Sequence, residues 1–437
     1  MKHSIRAYIV VSVILLLVVG GAIRSFGGDG KTSFDVITID SAITPAVADY
    51  IDKEIEGSSA RGSAGIIVLL DTPGGLDLAM RDIVKVLLTP PLPVIVFVHP
   101  SGARAASAGV MITMAASVAA MAPGTNIGAA HPVAIGIGGK MDKTMAEKVE
   151  NDAVAYARGI AEKRMRNADW AEKAVRESVS ISAEEALRLN VIDVIASDME
   201  ELLAKIDGTT IMLPSGDVVL DTKGAVINKR DMGLREKLLV TLSNPNIAYL
   251  LMMIGLAGLY FEFAHPGAIL PGVVGGISLI LAFFAMQTLP VSYAGIALIL
   301  FSIILFIAEI KIVSHGMLSV AGVISLVLGS VMLFNSSIPA LRVSFSVMIP
   351  TIIIVSLFFI AVVSLAVKAQ RAKPHTGVDG MIGREGTAIT DIHVDGKVLI
   401  KGEYWNASSS EHVEKGADVR VIGVRGLTLE IERIQKI

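Results

Sequence analysis

GIIVLLDTPGGL, residues 65–76, is the stretch that best indicates the architecture. Its apolar run lacks strict alternation, which is typical of a strand in a sheet covered on both faces. Comparable runs at residues 34–39 and 94–98 alternate with helix-like stretches. The pattern predicts an α/β domain over residues 33–206.

Two glycines, Gly74 and Gly75, follow that strand directly. Because glycine lets backbone N–H groups approach a ligand closely, the pair suits an oxyanion hole, a set of amides that binds negative charge on a substrate oxygen. The alternative is an ordinary strand-to-helix turn in which Asp71 and Thr72 cap the next helix. The turn alone leaves both interpretations open.

A second segment, SGARAASAG at residues 101–109, follows the strand at 94–98. A serine among such small residues, at a strand-to-helix transition, can expose its hydroxyl with room for a substrate backbone. The N–H group of the next residue can then join the glycine pair in binding negative charge, which suits acyl transfer. The competing interpretation is a helix start at which Ser101 or Ser107 is only a cap.

A serine nucleophile needs a base, because its hydroxyl is weakly reactive without a group that takes its proton. His131, in GAAHP at residues 128–132, is of a residue type that changes charge near neutral pH. Lys148, in MAEKVEND at residues 145–152, would have to be desolvated for its ammonium to lose a proton there. Since most lysines lie on solvated faces, the local sequence leaves the base undecided.

The composition excludes an ordinary soluble protein and a disordered one. Hydrophobic residues make up 53% of the 437 residues and charged residues only 18%, against about 25% in typical soluble domains. Only four Asp, Glu, Lys or Arg residues occur within 247–367. We predict five membrane spans there, at residues 247–264, 268–287, 291–310, 316–334 and 345–367. We expect the acids Glu262 and Glu309, near span ends, to snorkel to the interface.

The distribution of basic residues predicts the orientation. An apolar run at residues 7–23 makes 1–30 either a signal peptide or an N-terminal anchor. The positive-inside rule places three groups of basic residues on one side if this run is a span. They are Lys2 and Arg6, then Lys311 and His315, then Lys368, Arg371 and Lys373. We expect a multi-pass protein of the cell (inner) membrane, with the α/β domain extracytoplasmic and the C-terminal domain cytoplasmic.

Two shorter regions complete the chain. Residues 207–236 contain a strand-like pair around the turn PSGD, which predicts a linker hairpin. Residues 375–437 contain short strand-like pieces, at 386–390, 397–400, 418–424 and 428–434, separated by glycine turns. About five strands in so short a segment predict a small β-barrel.

Charge and cysteine content remove several classes of function. Lys and Arg number 38 against 41 acids, a net charge of -3, so no basic field indicates nucleic acid as a partner. The absence of cysteine excludes disulfides, thiolate nucleophiles and cysteine-ligated zinc or iron–sulfur clusters. We predict no cofactor and no metal site.

Five segments taken together resemble the membrane-bound NfeD family. They are DTPGG at 71–75, AASAG at 105–109, MAPGTNIGA at 121–129, ISAEEA at 181–186 and NVID at 190–193. Long members of that family join a Clp-type, crotonase-like serine protease domain to several transmembrane helices and a C-terminal OB-fold barrel. The resemblance covers essentially the whole chain and implies the same order here.

The resemblance also implies a Ser-Lys dyad, with Ser107 as the nucleophile and Lys148 as the base. The oxyanion-hole amides would come from Gly74, Gly75 and Ala108. An apolar helix face formed by Val149, Ala153, Tyr156 and Ile160 suits partial burial of the Lys148 amine. The soluble Clp protease, a distant relative, has a histidine about where His131 falls, so His131 remains the alternative base.

These observations predict a membrane-bound serine endopeptidase that cleaves apolar segments of a membrane-associated protein. By resemblance the partner is a stomatin-like (prohibitin-homology) protein, the surroundings are membrane lipid and the enzyme is a homo-oligomer. One alternative is a non-catalytic membrane scaffold, against which the intact Ser107 and Lys148 weigh. The other is a crotonase-type acyl-CoA enzyme, against which the export signal and the lack of adenine and pantetheine recognition signals weigh.

Overall fold

The computed structural model describes residues 32–133, 143–264, 267–287, 289–312, 314, 316–334, 336, 341–371 and 380–434. The chain divides into two compact units, Met1–Phe359 and Ile360–Ile437. The predicted signal peptide or anchor at residues 1–30 lies outside the described residues.

The first unit begins with an α/β domain. Its strands are β1 (Ser33–Asp40), β2 (Gly65–Asp71), β3 (Val94–Val98), β4 (Arg104–Ala106), β5 (Val118–Met121), β6 (Asn126–Gly128), β7 (Ser180–Ser182), β8 (Val194–Ile195), β9 (Thr210–Leu213), β10 (Gly216–Val219) and β11 (Val226–Lys229). Its helices are α1 (Pro45–Ala60), α2 (Asp77–Leu88), α3 (Ala108–Ala115), α4 (Lys143–Lys163), α5 (Ala168–Arg176), α6 (Ala183–Arg188), α7 (Met199–Ile206) and α8 (Leu234–Leu242).

Six parallel strands form the main sheet, in the order β11-β1-β2-β3-β5-β8. Because side chains alternate across a strand, Val68 and Leu70 enter one core with α1, α2 and α3. Ile67 of the same strand enters the opposite core with Leu202 of α7. The predicted α/β class, with a sheet covered on both faces, is confirmed, and strands form at the three runs from which it was predicted.

The predicted linker at 207–236 is in fact part of this domain. β9 and β10 form the expected hairpin, but β11 adds a sixth strand, pairing Val226 with Ser33 and Lys229 with Val36. Without β11, β1 would leave an open sheet edge with unpaired backbone groups. A four-residue strand of mixed polarity carries no strong periodic signal, which is why the sequence indicated only a connector.

A buried carboxylate fastens β11 to the domain. Asp35 in β1 is fully buried and accepts hydrogen bonds from Ser58 and Arg61, and Arg230, just after β11, lies 3.1 Å from its other oxygen. Burial alone would raise the pKa of Asp35. The hydrogen bonds from the two arginines and Ser58 outweigh it and lower the pKa to about 2. The carboxylate is therefore charged at neutral pH, and both arginines are held against it.

Five apolar helices follow, at the positions of the five predicted spans. They are α9 (Pro245–Ala264), α10 (Ile269–Met286), α11 (Tyr293–Lys311), α12 (Met317–Leu333) and α13 (Phe345–Arg371). Among the described residues, α9, α10 and α13 contain apolar stretches long enough to cross a membrane. The apolar parts of α11 and α12, Tyr293–Glu309 and Met317–Leu333, are shorter. The apolar parts of α11 and α12, 17 residues each, lie at the lower limit of the length that a bilayer requires, so the number of spans stays a prediction.

Glu309 does not snorkel, contrary to our expectation. It is only 6% exposed, and its carboxylate accepts hydrogen bonds from the amides of Gly316 and Ser319 and from the Ser314 hydroxyl. These amides belong to the start of α12, where free N–H groups attract a negative charge. Glu309 thus ties the end of α11 to the start of α12 and closes a helical hairpin.

The second unit contains a closed five-stranded barrel. Its strands are β12 (Glu385–Ala388), β13 (Gly396–Ile400), β14 (Glu403–Ser408), β15 (Asp418–Arg425) and β16 (Thr428–Arg433). They follow the order β12-β13-β14-β16-β15, and β15 pairs with β12 to close the barrel. Val398, Ile400, Val419 and Ile431 lie in its core. This topology confirms the predicted OB-fold.

Candidate active site

The glycine turn after β2 is held by Thr72. The Gly74 amide donates to Thr72 Oγ1 at 3.2 Å, and the Gly74 carbonyl accepts from the Ile43 amide at 2.9 Å. Gly74 has a φ of +107°, which L side chains rarely adopt. The turn is therefore fixed from both sides, and the Gly74 amide already has an acceptor.

Ser107 occupies the sharp turn between β4 and α3. Its φ of +53° and ψ of -110° are strained for a residue with a side chain, and its amide donates to the Gly128 carbonyl at 3.0 Å. A Cβ at Gly74 would lie 2.7 Å from the Ser107 Cβ, so only glycine fits opposite the serine. Strain at a strand-to-helix turn is a common way of presenting a nucleophile.

Two other residues with available backbone amides line the same cavity as the serine. Ala108 is the first residue of α3, where backbone N–H groups lack an acceptor within the helix. The Gly75 amide has no acceptor among the residues that the structure describes. Both residues line a cavity with Ser107, and the positive end of the α3 dipole adds to their attraction for an anion. The geometry thus offers the amides of Gly75 and Ala108 for an oxyanion, whereas that of Gly74 is occupied.

The cavity has a volume of about 400 Å³. Its walls combine apolar side chains with a few charged ones, as in many ligand sites. The described lining consists of Gly75, Asp77, Met80, Arg81, Ser107, Ala108, Met111, Ala130, Pro132, Val133, Lys148, Val149, Asp152, Ala153 and Tyr156.

Lys148 lines this cavity with Ser107, and the residue is exposed and not packed into the core. The buried residues of α4 begin only at Val154, and Val149, expected on the apolar face, is 38% exposed. The first turns of α4 border the cavity and do not pack into the core. The apolar spacing predicted which face of the helix turns inward. It did not predict where along the helix the core begins to cover that face.

His131 takes a different position. Its Nδ1 lies 2.9 Å from the Val175 carbonyl at the end of α5, a contact within hydrogen-bonding distance. Its neighbours Ala130 and Pro132 line the cavity, but His131 is not among the described residues that do. The structure brings Ser107, Lys148 and two amide donors together and leaves the alternative base outside this group.

Sequence reasoning missed a charged group on the cavity wall. Arg81 of α2 pairs with Asp77 one turn before it and with Asp152 of α4, and its guanidinium lies 4.4 Å from the centre of the Tyr156 ring. Partial burial alone would lower the pKa of Arg81, but the two aspartates raise it above its ordinary value. The Asp77–Arg81 spacing of four residues was readable from the sequence. The pairing with Asp152 was not, because 71 residues separate the two.

The C-terminal end of α3, the helix that follows Ser107, is held by Arg166. Arg166 is almost fully buried, and its Nη1 donates to the carbonyls of Met114 and Ala116 at the end of α3. Asp193, the last residue of the NVID segment, pairs with the same guanidinium. A cation at a helix C-terminus is favourable, so this segment stabilises the helix that supports the serine.

Three family models match the chain in sequence. They are the NfeD1b N-terminal domain over residues 33–211, the NfeD integral membrane domain over residues 246–365 and the NfeD-like C-terminal, partner-binding domain over residues 378–433. The three matches follow the order of the α/β domain, the apolar helices and the barrel.

Two curated relatives match over nearly their full length. The membrane-bound protease PH1510 of Pyrococcus horikoshii is 34% identical and covers 98% of each chain. The membrane protein NfeD1b of Bacillus subtilis is 25% identical, over 92% of this chain and 93% of its own. Among solved structures, the 1510-N membrane protease specific for a stomatin homolog, from Pyrococcus horikoshii, is 32% identical. It covers 49% of this chain and 100% of its own, with a TM-score of 0.43.

Proposed function

This chain belongs to the NfeD family of membrane proteins, and we propose that Ser107 and Lys148 make it a serine endopeptidase. The family membership and the membrane-bound protease assignment that the sequence predicted are confirmed. One observation carries the choice of residues: a strained serine shares a cavity with a lysine and with two amide donors. That combination supplies a nucleophile, a base and an oxyanion site.

Each group has one task in the proposed reaction. Ser107 Oγ attacks the peptide carbonyl while the Lys148 amine takes its proton, and the amides of Gly75 and Ala108 bind the oxyanion. The ammonium of Lys148 then gives the proton to the departing amine, which leaves an acyl-enzyme on Ser107. Water, activated by the same amine, hydrolyses the ester and restores the free serine.

A bound substrate would supply the desolvation that Lys148 lacks in the free chain. Lys148 is exposed and lines the cavity, so a peptide filling that cavity would displace water from around its side chain. Removing water favours the neutral amine, which is the form that accepts a proton. Lys148 is therefore expected to become an effective base only when a peptide fills the cavity.

The cavity walls support an apolar substrate. Met80, Met111, Pro132, Val133 and Val149 present apolar surface next to Ser107. An apolar side chain buried there gains about 25 cal/mol for each Å² removed from water. We propose an apolar segment of a stomatin-like membrane protein as the substrate, in line with the specificity of the 1510-N protease. The proposal includes a homo-oligomer in membrane lipid and no nucleic acid.

A digestion separates the three classes of function. The full chain in detergent micelles is incubated with a peptide from the apolar C-terminal tail of a stomatin-like protein, and the products are identified by mass spectrometry. We expect cleavage at one or a few apolar positions. A scaffold would bind the peptide without cutting it, and a crotonase-type enzyme would process an acyl-CoA thioester and leave the peptide intact.

The proposed orientation places the protease domain outside the cytoplasm and the barrel inside. The two domains lie on opposite sides whether or not α11 and α12 cross, because three spans and five spans are both odd numbers, but the group of Lys311 and His315 lies on the cytoplasmic side only if both cross. We expect a reporter fused after Ile206 to be active only outside the cytoplasm and one fused after Ile437 only inside. The reverse pattern would overturn the inner-membrane orientation derived from the basic residues.

A further inference from the structure

Arg81 connects the two helices that flank the cavity. Its Nε lies 2.8 Å from Asp77 Oδ2 on α2, and its Nη2 lies 2.5 Å from Asp152 Oδ2 on α4. The guanidinium also lies over the Tyr156 ring, a favourable cation–π contact. All four residues line the cavity that contains Ser107. One side chain therefore holds the charged groups of two helices next to the proposed catalytic pair.

Asp152 lies one helical turn after Lys148 on the same face of α4. At that spacing a free carboxylate attracts an ammonium. Such a pair would keep Lys148 in its charged form, which cannot accept the proton of Ser107. Arg81 binds the Asp152 carboxylate instead and so reduces the attraction of that carboxylate for the ammonium of Lys148.

We propose that Arg81 is a positioning residue that holds the Asp152 carboxylate and keeps it from pairing with Lys148, which leaves the lysine amine available to take the Ser107 proton once substrate is bound. This inference rests on the proposed Ser107–Lys148 dyad. Arg81 on α2 thus acts on the proposed base of the neighbouring helix α4.

Among the residues that the structure describes, the other charged and titratable groups facing Lys148 are held as follows. α3 contributes no titratable side chain. Burial raises the pKa of Tyr156, which Arg81 partly offsets, so the phenol is neutral at working pH. Asp77 is held by Arg81, and Glu147 is exposed on α4. Glu150 pairs with Arg176, and Arg176 also pairs with Glu172. The His131 ring lies against the Val175 carbonyl.

The test is the pH dependence of kcat/KM for the apolar peptide, measured on the full chain in detergent micelles. For Arg81→Gln we expect a shift of the acid limb to higher pH by about 0.5 to 1 unit, and hence about a three- to tenfold loss at pH 7, because the freed carboxylate stabilises the ammonium. For Asp152→Asn we expect no shift or one to lower pH. The double variant should return to the wild-type acid limb, and Arg81→Lys should recover part of the loss.

Arg158→Gln is the matched control. Arg158 is on α4, is about as exposed as Arg81 and pairs with Asp169 and Glu172 away from the cavity, so its loss should leave the pH profile unchanged. An unshifted acid limb in Arg81→Gln, or a double variant as shifted as the single one, would overturn the role of Arg81. Such results require a wild type that cleaves through Ser107. A wild type that does not cleave would overturn the proposed function itself.

Discussion

Replacement of Ser107 by alanine is expected to lower peptide hydrolysis by roughly 10⁴- to 10⁶-fold, as loss of the nucleophile does in serine proteases. Only one oxygen is removed, and the backbone amide still donates to the Gly128 carbonyl. The fold should therefore survive. Initial rates of cleavage of the apolar peptide by the full chain, with thermal unfolding measured in parallel, check both parts of this expectation.

Ser101→Ala provides the control for Ser107→Ala. Ser101 belongs to the same small-residue segment but lies exposed in the turn before β4 and does not line the described cavity. We expect its rate to stay within about twofold of the wild type, because surface substitutions of this kind rarely matter. A Ser107→Ala variant that keeps a tenth or more of the wild-type rate would show that another group attacks the peptide bond.

The local patterns of this sequence were sufficient to predict much of the fold. The strands at 34–39, 65–70 and 94–98 are apolar enough to identify, and the barrel at the C-terminus follows from short strands separated by glycine turns. The serine turn was also readable, because AASAG leaves no bulk around Ser107. In each case the information lies within a few consecutive residues, where propensity and packing agree.

What the sequence did not predict depends on contacts between distant residues. β11 completes the sheet through pairing with β1, almost two hundred residues away. Gly74 and Gly75 look equivalent in the sequence. The Gly74 amide donates to Thr72 Oγ1, however, whereas the Gly75 amide has no acceptor among the described residues. The exposure of Lys148 likewise depends on where the core ends along α4. Periodicity in the sequence identifies the buried faces of helices and strands and the turns between them. Contacts between distant residues decide which backbone amides and which lysine amines stay free to bind a substrate.

Replacement of Lys148 by alanine should lower kcat by about 10³- to 10⁴-fold with a smaller change in KM, because a base acts mainly in the transition state. Lys148→Arg should be nearly as inactive, since a guanidinium keeps the positive charge and cannot accept a proton near neutral pH. The arginine variant therefore separates proton transfer from simple attraction of the oxyanion. Steady-state rates for both variants, measured beside the wild type, provide the comparison.

His131→Ala decides between the two bases. The His131 ring lies against the Val175 carbonyl and outside the described cavity lining, so its removal should leave at least about a third of the wild-type rate. The opposite result, an active Lys148→Ala and an inactive His131→Ala, would transfer the base role to histidine. That outcome would require the ring to leave Val175 when substrate binds, and the Arg81–Asp152 pair would then have no lysine to control.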